Sequence, residues 1–162
     1  MTARVEVLFV CLGNICRSPT AHGVFETLLV AEGLTERIAV DSAGTGDWHL
    51  GRPPDPRTRR AALARGYDLE HLRARQVEAV DFQRFDYILA MDNANLADLQ
   101  RLRPGDFSGT LDLFLNFGSG VPVIEVPDPY HGSADGFEQV LDLVENAARG
   151  LLAHIRANPP RR

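Results

Sequence analysis

Cys11 and Arg17 are separated by five residues in the run Cys11-Leu-Gly-Asn-Ile-Cys-Arg17, and Ser18-Pro19 follow at once. A cysteine sulfur attacks as its thiolate, and a helix N-terminus or a nearby guanidinium favours that form. The arginine fork can grip two phosphate oxygens bidentately, which a lysine cannot do. A sulfur beneath phosphorus with a guanidinium beside it suits in-line displacement through a phosphocysteine. Far downstream, Asp128-Pro129-Tyr130 offers a carboxyl able to protonate a departing oxygen. A phenolate gains most from such a donor, because the tyrosine hydroxyl titrates near about 10.

These groups need a frame. Val5 to Val10 is apolar apart from Glu6 and reads as a buried strand, while Ser18 and Pro19 read as an N-cap and a first helical position. The intervening loop is slung between a strand's C-terminal end and a helix N-terminus. Its amides converge with the positive end of the helix dipole, a concavity suited to a tetrahedral oxyanion. Gly13 permits close backbone approach, and Asn14 is the non-glycine type best able to take a left-handed turn. Beyond its capping role, the Ser18 hydroxyl is a candidate hydrogen-bond donor to the Cys11 sulfur.

The rest of the chain alternates. Pro19 to Glu32 has helical apolar spacing and stops at Gly33, and Ile38 to Val40 is a short strand, giving a βαβ unit with a right-handed crossover. Gly44 to Pro56, holding Trp48 and His49, is a loop on what should be the ligand-binding edge. Asp55-Pro56 opens a second helix reaching about Gly66. Phe85 to Met91 is a third strand, Asp92 caps a helix from Asn93 to Leu102, and Thr110 to Leu115 is a fourth strand. Gly118 to Gly132 reads as extended loop, and Asp135 to Glu138 as a capping box opening a long final helix. The pattern predicts an α/β, flavodoxin-like, four-stranded parallel sheet of order 2-1-3-4, with helices on both faces and the Cys11 loop at the switch point. Residues 1–157 are expected to form one domain, and residues 158–162 a frayed tail.

At 162 residues, with 44% hydrophobic and 24% charged, the chain can bury a core of its own. A net charge of -5 argues against a general nucleic-acid binder, so any positive potential for phosphate must be local. No stretch approaches the roughly 20 apolar residues of a membrane span. The N-terminus lacks a signal-peptide cleavage pattern and reads as the first core strand of a cytoplasmic protein. Cys11 and Cys16 share one loop, where a permanent bridge would constrain almost nothing, so both read as thiols able to pair reversibly after oxidation. His22, His49, His131 and His154 show no metal-ligand arrangement and are assigned no catalytic role.

The loop Cys11 to Ser18 and the distant Asp128-Pro129-Tyr130 together resemble the low-molecular-weight protein tyrosine phosphatases. Asp41 to Thr45 with Trp48, Ala74 to Gln76 and Phe85 to Leu89 extend the resemblance over nearly the whole chain. It implies a phosphotyrosine-protein phosphatase with Cys11 as nucleophile, Arg17 on the phosphate and Asp128 as acid, then base. It places Gly13, Asn14, Ile15 and Cys16 around the phosphate and has Ser42 and His71 hold the Asn14 side chain; on the residues themselves, Trp48 and Tyr130 are candidates to sandwich a phenyl ring, with Leu12 at the mouth. Related arginine-phosphate phosphatases carry threonine where this chain has Ile15, which favours the tyrosine class. The expected partners are a phosphotyrosine-containing protein and inhibitory oxyanions, with no cofactor, metal, membrane or nucleic acid, and a monomeric state. The second family tyrosine after Asp-Pro is here His131, so regulation through paired tyrosines does not carry over.

Each role has a plainer counterpart. Asp128 could merely open an Asp-Pro turn, the same dipeptide at Asp55-Pro56 reading as a helix start, and Trp48 and Tyr130 could be core packing or incidentally exposed aromatics. A thiol-linked arsenate reductase shares such a loop, but normally relays electrons through further cysteines, and this chain has only Cys11 and Cys16. A phosphopeptide-binding module without catalysis would be expected to lack the nucleophile or the acid.

Overall fold

The apolar run Val5–Cys11 forms β1, the strand from which the other elements are laid out in the computed structural model, which describes residues 4–160. β1 pairs in parallel with β2, Ile38–Gly44, on one edge and with β3, Tyr87–Ala90, on the other; β4, Thr110–Leu113, pairs with β3. The sheet order is β2-β1-β3-β4, as the alternation predicts. Covered on both faces, β1 has no need of polar alternation. Val7, Phe9 and Cys11 pack with α1, Arg17–Ala31, and α5, Ala134–Ala157. Leu8 and Val10 point the other way, into a cluster with Leu99 of α4, Asn93–Leu102.

The C-terminal ends of the strands are level: Cys11 pairs with Gly44, and Val10 with Ala90. That edge therefore gathers the loops that follow β1, β2 and β3. β2 runs on to Gly44 where the sequence suggests Val40, because polar Asp41 and Ser42 still pair with Leu8 and Phe9. β3 is shorter than Phe85 to Met91, although Asp86 donates to the Glu6 carbonyl and Met91 to that of Val10. β4 ends at Leu113, since Phe114–Phe117 coil into a 3₁₀ turn that sets the Phe114 ring 4.8 Å from Phe9. That turn accounts for three consecutive apolar residues that strand alternation could not.

α2, Pro56–Ala64, begins as predicted, with Asp55 accepting from the Arg57 amide. Asp92 likewise accepts from the Asn95 amide at 2.8 Å to cap α4. Two expected caps do not form. α1 starts at Arg17, one residue before Ser18, so Cys16 is the N-cap and no side chain caps it. α5 starts behind Ser133, again with no side-chain cap, so Asp135 and Glu138 make no capping box. A short helix, α3, Asp81–Arg84, precedes β3 in a stretch whose sequence shows no helical periodicity; the Asp81 carboxylate accepts from the Glu78 amide and pairs with Arg75. Asn158 ends α5 by donating to the His154 carbonyl, while Arg161 and Arg162 of the expected tail lie outside the described residues. Among the described residues no helix is long and apolar enough to cross a membrane.

Candidate active site

The segment from Cys11 to Ser18 is folded back over the end of β1 by its own side chains. Asn14 adopts φ 57, the left-handed conformation its short amide tolerates. Its Nδ2 donates to Ser18 Oγ at 2.8 Å, and its Oδ1 accepts from the Arg75 amide at 2.9 Å. Ser18 Oγ lies 3.0 Å from Cys11 Sγ, which also accepts from the Asn14 amide at 3.3 Å. Because the hydroxyl already accepts from Asn14, its own proton is left for the sulfur or for the Ala43 carbonyl, 3.3 Å away. Ser18 thus serves the thiol and not the helix terminus.

The expected partners of Asn14 are placed differently. Ser42 Oγ pairs with His22 Nδ1 at 3.0 Å, and His71 Nε2 lies 3.6 Å from Glu26 Oε1. The isolated bridge between Gly44 and Gln76 brings the Arg75 amide to Asn14 in their stead. His22, and more weakly His71, hold the Glu26 carboxyl below the usual carboxylate range, against the opposing effect of burial. Ser42 and His71 therefore belong to a network beside the loop.

The end of β2 fixes the loop from the other side. Thr45 and Gly46 donate to the carbonyls of Cys11 and Leu12, both at 2.9 Å. A Cβ on Gly44 would come within 2.6 Å of the Leu12 carbonyl oxygen, so the two chains can approach this closely only at a glycine.

Arg17 is 3% exposed. Its Nη1 donates to Asp92 Oδ2 at 2.6 Å and to the Val126 carbonyl at 3.1 Å, and its Nη2 lies 3.8 Å from Asp128 Oδ2. Burial opposes the guanidinium's charge, but Cys11 and Asp92 together raise its pKa above the ordinary arginine value. Asp92, legible in sequence only as a helix cap, uses Oδ1 for that cap and Oδ2 to anchor Arg17. Nothing local in the sequence signals the pairing, which arises because β1 and β3 are neighbours with level ends.

Above this floor opens a cavity of about 250 Å³. The buried Cys11, Ile15, Cys16 and Arg17 line its base together with Gly13, and the exposed Leu12, Trp48, Asp128 and Tyr130 its rim. Trp48 lines the cavity and is 66% exposed, so it is not core packing. Asn14 does not line the cavity; it braces the loop from behind. His49 and His131, assigned nothing from sequence, also line the rim, their rings 6.1 and 4.9 Å from that of Tyr130. His49 lies so close that a Cβ on Gly13 would meet its Cδ2 at 2.9 Å. Burial pushes the Cys16 thiol up to about 12, so it stays protonated near neutral pH. The arrangement offers a sulfur, a cation with Nε and Nη2 free of hydrogen bonds among the described residues, and a half-exposed carboxyl, all on one small concavity.

The family model of the low molecular weight phosphotyrosine protein phosphatases matches residues 6–161. A phosphatase of that name from Schizosaccharomyces pombe is 44% identical over 157 residues, covering 93% of this chain and 99% of its own. A low molecular weight protein-tyrosine-phosphatase from Streptomyces coelicolor is also 44% identical, over 93% of each chain. Among solved structures, a protein tyrosine phosphatase from Entamoeba histolytica with Hepes in its active site superposes with a TM-score of 0.92 at 38% identity, covering 96% of this chain and 99% of that one. Level strand ends, a buried cysteine–arginine loop and these likenesses lead to one assignment: the chain belongs to the low molecular weight phosphotyrosine protein phosphatase family.

Proposed function

We propose that this phosphatase hydrolyses phosphotyrosine in proteins, and simpler aryl phosphates, through a phosphocysteine. The observation that carries the reading is the position of Cys11 Sγ, held between Ser18 Oγ at 3.0 Å and the Asn14 amide at 3.3 Å beneath a cavity that Arg17 and Asp128 also line. The Cys11 thiolate attacks phosphorus, forming an S–P bond as the P–O bond to the phenol breaks. Asp128 delivers its proton to the departing oxygen, so tyrosine leaves neutral. Arg17 and the loop amides hold the equatorial oxygens while charge moves from sulfur to phenol. Asp128, now a carboxylate, takes a proton from water as that water attacks phosphorus. The S–P bond breaks, inorganic phosphate leaves, and the Ser18 hydroxyl stabilises the returning thiolate.

Trp48 and Tyr130 rise on the rim, so an aromatic ring can stack between them while its phosphate reaches the base. A phosphoserine side chain is too short to span that depth. Ile15 at the base supports the tyrosine class, and Cys16, a second free thiol lining the same cavity, traps an oxidised Cys11 as a disulfide that thiols reverse. The test is turnover of p-nitrophenyl phosphate by the wild type and by Cys11→Ser. The wild type should turn over, and the variant should lose about 10⁴-fold or more while still binding inorganic phosphate by calorimetry. A wild type without turnover, or an active Cys11→Ser, would overturn the assignment.

A further inference from the structure

The segment carrying Asp128 is tethered to the rest of the molecule in a way the reaction scheme leaves unused. Asp128 Oδ1 accepts from the Tyr130 amide at 3.1 Å, which closes a tight turn but fixes nothing outside it. Gly132 donates to the Pro129 carbonyl within the same turn. Besides the 3.8 Å ion pair between Arg17 Nη2 and Asp128 Oδ2, the one hydrogen bond among the described residues that ties 127–132 to another element comes from Arg57, whose Nη2 donates to the Tyr130 carbonyl at 2.7 Å. The same guanidinium lies 5.5 Å from the centre of the Tyr130 ring and 4.9 Å from that of Phe137, within cation–π range of both.

Arg57 is itself held. Its Nε and Nη2 donate to the two oxygens of Asp55, at 3.1 and 2.9 Å. The Asp55 carboxylate also caps α2 through the Arg57 amide at 2.8 Å, and the Asp55 amide donates to the Ile15 carbonyl, also at 2.8 Å. Ile15 belongs to the base of the cavity. An unbroken chain of bonds thus runs from the phosphate loop through Asp55 and Arg57 to the turn that presents Asp128. We propose that Arg57 is a positioning residue for the reaction: it fixes the height of the Asp128–Tyr130 turn above the Cys11 sulfur, so that the acid reaches the leaving oxygen. A lysine could bond the Tyr130 carbonyl or Asp55, but it lacks the fork that bridges both.

The inference rests on the proposed role of Asp128, and one set of variants separates the two. Wild type, Arg57→Ala, Arg57→Lys, Asp128→Ala and the Arg57→Ala/Asp128→Ala double variant are compared on phenyl phosphate and p-nitrophenyl phosphate. If the strap works through the acid, Arg57→Ala lowers kcat/KM for phenyl phosphate about tenfold, a part of the 10²- to 10⁴-fold that general acids supply. The better leaving group is affected less than about threefold, and the inhibition constant of inorganic phosphate stays unchanged. Arg57→Lys falls between wild type and Arg57→Ala. The double variant is no slower than Asp128→Ala alone, because a turn without its acid gains nothing from being held. Equal losses on both substrates, weakened phosphate inhibition, or a further tenfold loss in the Asp128→Ala background would each overturn the positioning role. Were Asp128→Ala itself insensitive to the leaving group, the acid assignment would fall instead.

Discussion

The loop from Cys11 to Ser18 and the turn at Asp128, proposed here to hold phosphate and to carry the acid, line one cavity but are built by opposite means. From Cys11 to Ser18 most residues are buried, and their side chains bond one another, β2 and the segment at Arg75. The turn at Asp128 is largely exposed, its carboxyl side chain 46% so, and one hydrogen bond from Arg57 and the 3.8 Å ion pair with Arg17 link it outward. A group that must hold developing charge on phosphate works best in a rigid, desolvated frame. A group that must pass a proton to the leaving oxygen, and then admit water to the same place, works better on a light mount. The difference teaches where the molecule tolerates change: damage to the loop costs stability and binding together, whereas damage to the turn costs chemistry alone.

Replacing the acid breaks the comparison open most widely. Asp128→Ala should lower kcat/KM for phenyl phosphate by about 10²-fold or more, with a smaller loss for p-nitrophenyl phosphate. Because the carboxyl is half exposed, the unfolding free energy from urea titration should stay within about 0.5 kcal/mol of wild type. Asp92→Ala probes the opposite region. It strips the anchor from a buried guanidinium and the cap from α4, so it should cost about 3 kcal/mol by urea unfolding and weaken phosphate inhibition in steady-state kinetics. Asp92→Asn, which keeps a capping oxygen, should retain more of that stability. An Asp92→Ala variant of unchanged stability would show that the loop is not the rigid partner.

How far these regions could be read from sequence follows the same division. The phosphate loop was legible because its chemistry is local: a strand, a glycine, a left-handed asparagine and a helix start lie within a dozen residues. Strand order was legible for a related reason, since alternating elements leave few parallel topologies. Partnerships across the fold were not. Ser18 reads both as a cap and as a partner of the Cys11 sulfur; only the contact with sulfur forms, and the bond it accepts from Asn14 has no signal in the sequence. Arg75 meets Asn14 through a backbone amide, which no side-chain pattern encodes. Asp92 advertised its cap and concealed its hold on Arg17.

The two smaller effects sharpen the picture. With burial pushing the Cys16 thiol up to about 12, iodoacetate near neutral pH should label Cys11 and spare Cys16, with phosphate slowing the labelling, as peptide mass mapping would reveal. After peroxide, Cys16→Ser should recover less activity on adding a reducing thiol; equal recovery would remove Cys16 from a protective role. Far from the cavity, Tyr67 donates to Glu145 Oε2 at 2.6 Å. Burial and that carboxylate push its hydroxyl up to about 12, above its unfolded value near 10. Its neutral form therefore contributes stability that is complete below about pH 10 and lost as pH rises through about 12. Tyr67→Phe should cost about 1 kcal/mol, measured by urea unfolding in neutral buffer, and the gap from wild type should close across that window without any change in kcat.

Cys11 shares the face of β1 that Val7 and Phe9 present to α1 and α5, and this parity restricts how the chain can change length. Deleting or adding one residue ahead of the sulfur would swing it toward the opposite layer, or else turn every neighbour around it. Indels within this strand are therefore tolerable only in even numbers, and the Cys11 sulfur's orientation is inherited from the pleat as much as from the loop that follows.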